Sequence, residues 1–108
     1  MTETEEHKEL KLCAAKIFHG ATEKAVNGRV DVRTQSFCVE VETSGRTDRI
    51  QHAIQKLSSS KCGGGFLIVP PTALDNATKV VQQSKNILII PSDKFMKICK
   101  STTHLQSK

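Results

Sequence analysis

Tryptophan and tyrosine are absent from this 108-residue chain, and phenylalanine occurs only four times. That scarcity disfavours a surface that reads single strands by stacking bases on rows of aromatics. Long apolar runs are missing as well. The longest, Phe66 to Pro71 and Ile87 to Pro91, are far too short to cross a bilayer. The opening residues, MTETEEHKE, are acidic and lack the basic and apolar pattern of a signal or transit peptide. These absences predict a soluble intracellular, cytoplasmic protein with no membrane partner. No two cysteines form a CxxC pair. Cys13, Cys38, Cys62 and Cys99 stand 25, 24 and 37 positions apart, so zinc is not indicated and the residues read as small buried thiols. The triple glycine at 63–65 has no Lys-Ser/Thr after it, so it is not a P-loop, and nothing points to an organic cofactor.

What is present suits one domain over residues 1–108, with 37% hydrophobic and 25% charged residues. The net charge is +5, unevenly spread. Residues 1–10 hold four Glu and one Lys, which leaves a markedly basic remainder. Such a body attracts phosphate backbones.

Apolar spacing sets out the elements. Leu10, Cys13, Ala14 and Ile17 form one stripe of a helix over 4–19, with Thr4 as its N-cap. Arg29 to Arg33 and Ser36 to Thr43 alternate as strands joined at Thr34-Gln35, and 22–27 offers a further strand. Ile50, Ala53, Ile54 and Leu57 mark a helix over 47–59. A strand at 66–69, a helix from Thr72 or Asp75 to about Gln83, a strand at 86–90 and a helix at 93–100 follow, with a frayed tail over 101–108. The two late strands are continuous apolar runs, as in a sheet covered on both faces. The expected fold is α/β, a mixed central β-sheet flanked by helices.

Side chains alternate along a strand, so Phe37, Val39 and Val41 share one face while Cys38, Glu40 and Glu42 share the other. Asp31 lies between Val30 and Val32 and projects opposite to them, so in a hairpin it converges with Glu40. Adjacent carboxylates repel and raise one another's pKa unless a cation joins them. Mg²⁺ or Mn²⁺, bound through oxygen ligands, fits that need. A half-exposed strand also carries an acidic face, but a doubly covered sheet in a basic protein makes a merely solvated acidic face less expected.

These residues resemble the PD-(D/E)XK, restriction-endonuclease-like nuclease superfamily, nearest to its small archaeal-type Holliday junction resolvases. The resemblance rests on GRVDV at 28–32, CVEVETS at 38–44 and the helix RIQHAIQKL at 49–57, and spans roughly residues 5–70. It implies a core ordered α-β-β-(β)-α-β, here with an extra C-terminal α-β-α. It implies a metal held by Asp31 and Glu40, with Glu42 as a further ligand or water orienter, and an Mg²⁺-dependent deoxyribonuclease activity. A residue on the first helix and a polar one on the following helix complete such a site. Glu6, four before Leu10, is the first-helix candidate, ahead of Glu9, and Gln55 is the polar one. The chain departs from the pattern where Glu42 stands in place of the usual lysine. Lys56 is a candidate substitute from the next helix, unless it is an ordinary solvated lysine.

Arg29, Arg33, Arg46, Arg49 and Lys61 are the basic residues available to DNA, and 43–49 would set Ser, Thr and Arg donors beside the acids. Duplexes and junctions with two strands to cut suit a two-fold homodimer. The expected activity is a metal-dependent DNA endonuclease, with junctions or other DNA structures as candidate substrates. The alternative is an inactive nuclease-fold module that binds DNA or protein, and a weaker one is a regulatory α/β domain.

Overall fold

A computed structural model describes residues 4–22, 31–59, 64–82 and 86–106. Helix α1 spans Glu5–Ile17, and the hydroxyl of its N-cap, Thr4, accepts the His7 N–H at 3.1 Å. Glu5 and Glu6 in its first turn complement the positive end of the helix dipole. Strands β1 (Ala21–Thr22), β2 (Val32–Arg33) and β3 (Cys38–Val41) follow, then α2 (Thr47–Ser59), β4 (Gly65–Val69), a 3₁₀ turn (Pro71–Ala73), α3 (Leu74–Val81), β5 (Ile87–Pro91) and α4 (Ser92–Gln106). The five strands form one mixed sheet in the order β1-β2-β3-β4-β5. β1, β2 and β3 run antiparallel, and β4 and β5 are parallel to β3. The fold is therefore the expected α/β class, a mixed sheet flanked by helices.

Alternation on the sheet feeds two cores. Leu67 and Val69 join Cys38, Ile50, Leu57 and Ala77 in one cluster under α2 and α3. Ile68 joins Leu10, Ala14, Val39, Val41 and Phe95 in the other, under α1 and α4. All four residues of β3 are buried, as a central strand covered on both faces requires. The turn between β2 and β3 is fixed by Thr34, whose hydroxyl accepts the N–H groups of Ser36 and Phe37 and donates to the Phe37 carbonyl. Gly65 lets β4 pass close to β3: its φ is +149°, and a Cβ there would overlap the Cys38 carbonyl.

One expectation is corrected. Cys13 and Cys99 are not thiols but a disulfide across 86 residues, with Cα atoms 6.0 Å apart. They meet because α1 and α4 cover the same sheet face, a pairing that chain spacing does not reveal. Cys38 is also disulfide-bonded, and Cys62 lies outside the described residues. α4 runs on to Gln106, with no glycine or proline to stop it and with Cys99 anchoring its middle. Among the described residues, no helix is long and apolar enough to cross a membrane.

Candidate functional site

Where β2 begins, its pairing with β3 changes character. The ladder holds Arg33 opposite Cys38 and Val32 opposite Val39. The next pair, Asp31 and Glu40, is joined through side chains instead. The Asp31 N–H donates to Glu40 Oε1 at 2.8 Å, and the Val41 N–H donates to Asp31 Oδ2, also at 2.8 Å. Each carboxylate thus satisfies a backbone amide of the opposite strand, and the two acids are wedged side by side. Both are buried, Asp31 at 5% and Glu40 at 3% exposure.

Two basic side chains close on them. Lys56 Nζ lies 3.1 Å from Glu40 Oε2, and His7 Nε2 lies 3.4 Å from Asp31 Oδ2. The Glu40 carboxyl is pushed up from 4.5 to about 8. Burial is the main cause and the Asp31 charge the second, while Lys56 and the Asp31 N–H pull the other way. A buried acid held this far from its ordinary range gains from any added cation.

The site opens into a cleft of about 170 Å³ lined by His7, Asp31, Glu40, Val41, Glu42, Arg49, His52, Ala53 and Lys56. On α2, positions 49, 52, 53 and 56 share one face by helical spacing, which explains why four residues of one helix line the cleft. Gln55 lies about 100° round from Lys56. It is exposed and does not line the cleft.

The first helix offers a different residue from the one its stripe indicated. Leu10, Lys11 and Ala14 are its buried positions, whereas Cys13 and Ile17 are only half-buried. The inward face is therefore turned toward His7, which precedes Leu10 by three and Lys11 by four. Glu6 falls about 90° from the centre of that face, and both it and Glu9 are exposed. His7 was the missed residue, and its spacing to Leu10 and Ala14 was the available signal. His52, read as an exposed histidine, is exposed and also lines the cleft.

Glu42 lines the cleft too, but its carboxylate accepts the N–H and the hydroxyl of Ser44. Arg49 is half-buried at the cleft wall. Arg46 is exposed and paired with Asp48 through two hydrogen bonds, Nε to Oδ1 at 3.2 Å and Nη2 to Oδ2 at 3.0 Å. Arg33, half-buried in β2, does not line the cleft. Arg29 and Lys61 lie outside the described residues.

Among the described residues, no three His, Cys, Asp or Glu side chains are disposed to hold a metal ion. Mg²⁺ does not need three, since it commonly binds through one or two carboxylates and keeps several waters. Asp31 and Glu40 form such a pair, hard oxygen donors fixed by the backbone, with one of them destabilised as an anion. That donor set fits Mg²⁺ or Mn²⁺. In comparisons with known proteins, no family model, no curated protein and no solved structure matches this chain.

Proposed function

We propose that this chain is a metal-dependent endonuclease of the PD-(D/E)XK kind, hydrolysing phosphodiester bonds in DNA. The observation that carries the reading is the shared cleft of Asp31, Glu40 and Lys56. The two acids, one just before β2 and one on β3, are the pair the resemblance asks for, and Lys56 from the following helix would stand in for the lysine that Glu42 replaces. The element order supports it: a helix, a three-stranded antiparallel meander, a helix and a strand parallel to the third.

Asp31 and Glu40 would hold Mg²⁺ or Mn²⁺, which supplies polarisation of a phosphoryl oxygen and activation of water. The protein's own groups do the rest. His7 and the Val41 N–H hold the Asp31 carboxylate in place. Lys56 contributes positive charge where negative charge develops on phosphate. Arg49 and His52, on the same helix face, are placed to engage the phosphates flanking the bond. The +5 net charge favours approach of a polyanion. A homodimer would bring two such clefts to two strands.

The test is cleavage of linear, flap, single-stranded and four-way-junction DNA with Mg²⁺ and with Mn²⁺, for wild type and Asp31→Asn. Activity should fall by at least about 100-fold in the variant, since even outer partners of a metal site are worth 10–100-fold. Wild type inert on every substrate with either metal would overturn the reading. One observation favours the binding module as second choice: Glu42, in the third place of the tripeptide, is engaged with Ser44 and supplies no positive charge. That module would bind DNA in a salt-dependent way without cutting it.

A further inference from the structure

Three of the four carboxylate oxygens of the acidic pair are already engaged by the protein. Glu40 Oε1 accepts the Asp31 N–H, Asp31 Oδ2 accepts the Val41 N–H and faces His7, and Glu40 Oε2 holds Lys56 Nζ at 3.1 Å. These engagements differ in kind. The two amide contacts are held in place by the register of β2 on β3. The Lys56 contact is made by the end of a four-carbon stem on a helix, with 20% of the side chain exposed at the cleft.

We propose that Lys56 is the resident cation of Glu40 and that a divalent metal takes its place. The inference rests on the metal-binding reading above and adds to it a defined exchange at one oxygen. A metal ion approaching Glu40 reaches Oε2, because Oε1 is committed to the backbone. Mg²⁺ sits about 2.1 Å from its oxygen ligands, so an ammonium still at hydrogen-bond distance from Oε2 would press one cation against another. Lys56 is the group that moves. Its ammonium swings off Glu40 into the cleft, toward Glu42 and the opening. The lysine thereby meets phosphate only when metal is bound, which makes it a catalytic residue armed by the metal.

Site-resolved lysine labelling of the wild-type protein tests this. Reductive methylation is followed by mass spectrometry with and without saturating MnCl₂, and Lys94, Lys97 and Lys100, all exposed on α4, serve as internal references. If the ammonium is free in about a tenth of molecules without metal and in most with it, Lys56 labelling rises about tenfold against the references. Asp31→Asn should lose that rise. Calorimetry in the same buffer separates the two levels of the argument. Mn²⁺ binding with Lys56 labelling unchanged or reduced overturns the exchange and leaves the metal site standing. A rise that persists in Asp31→Asn overturns it too, since the metal then acts elsewhere. No heat of binding and no change in labelling overturns the metal-binding reading, and the exchange falls with it.

Discussion

The parallel strands β3, β4 and β5 have two ends, and the ends are built on opposite principles. At the carboxyl end of β3 lies the polar cleft, about 170 Å³, with Asp31, Glu40, Glu42, His7, Arg49, His52 and Lys56 around it. At the amino ends of β4 and β5 lies a larger cleft, about 300 Å³, lined by Ser36, Phe37, Gly64, Gly65, Phe66, Asn86 and Leu88, with no ionisable side chain. Phe18, Phe37 and Phe66 pack there at centroid distances of 5.1 to 5.2 Å. The larger cleft is where apolar contact stabilises the fold. The smaller one is where the fold gives up stability to hold two buried acids. Volume alone points to the larger cleft, whereas the perturbed titration of Glu40 and the converging polar groups point to the carboxyl end, where open α/β sheets bind their ligands.

The contrast can be probed from both ends. The largest effect is expected from the Cys13–Cys99 bridge, which ties α1, the carrier of His7, to α4. Closing 86 residues removes about 4–5 kcal/mol of unfolded-chain freedom in the entropic account. Cys99→Ser should lose stability of that order in urea unfolding, and an unchanged midpoint would show that packing alone holds the two helices. Phe66→Ala is next. It should cost about 2–3 kcal/mol, less than a fully buried phenylalanine because the ring is half-exposed. Mn²⁺ binding should be unaffected, and if it weakens the two ends are not independent.

The polar end makes the opposite prediction. Glu40 holds its proton up to about pH 8 in the fold, against 4.5 ordinarily. Between those values the folded state binds more protons than the unfolded one, so stability falls as pH rises through this window. The contribution is fully present below about pH 4.5 and lost above about pH 8. Glu40→Gln lacks this fall. Its melting temperature relative to wild type should rise from acid to alkaline buffer, and a constant gap would remove the buried-acid account. The smallest effect concerns the rim. Arg49→Ala should flatten the salt dependence of DNA binding by about 0.9 in slope, one phosphate contact. Arg46→Ala should change it less, because Arg46 does not line the cleft.

The sequence disclosed what depends on local periodicity. Helix α2 was readable to its bounds at Thr47 and Ser59, and the alternation along β3 put Glu40 and Asp31 on one side of the hairpin. What stayed hidden depends on how elements meet. The face of α1 was misjudged by about half a quadrant because Cys13, drawn toward Cys99, looked like core and Lys11 did not. Lys56 could be named as a candidate, but only the approach of α2 to β3 brings its ammonium to Glu40. Asp31 falls outside β2 because side chains, not backbone carbonyls, receive the amides where Asp31 meets Glu40.

Those two crossed contacts have a practical consequence for solution work. The amide protons of Asp31 and Val41 are held by the same carboxylates that would hold an ion. Their exchange with deuterium therefore reports the state of the acidic pair directly, with no substrate and no label. If a bound ion draws charge from the carboxylates, these two amides should loosen their grip and exchange faster. Their neighbours in the β2–β3 ladder, paired through ordinary backbone bonds, should keep their rates.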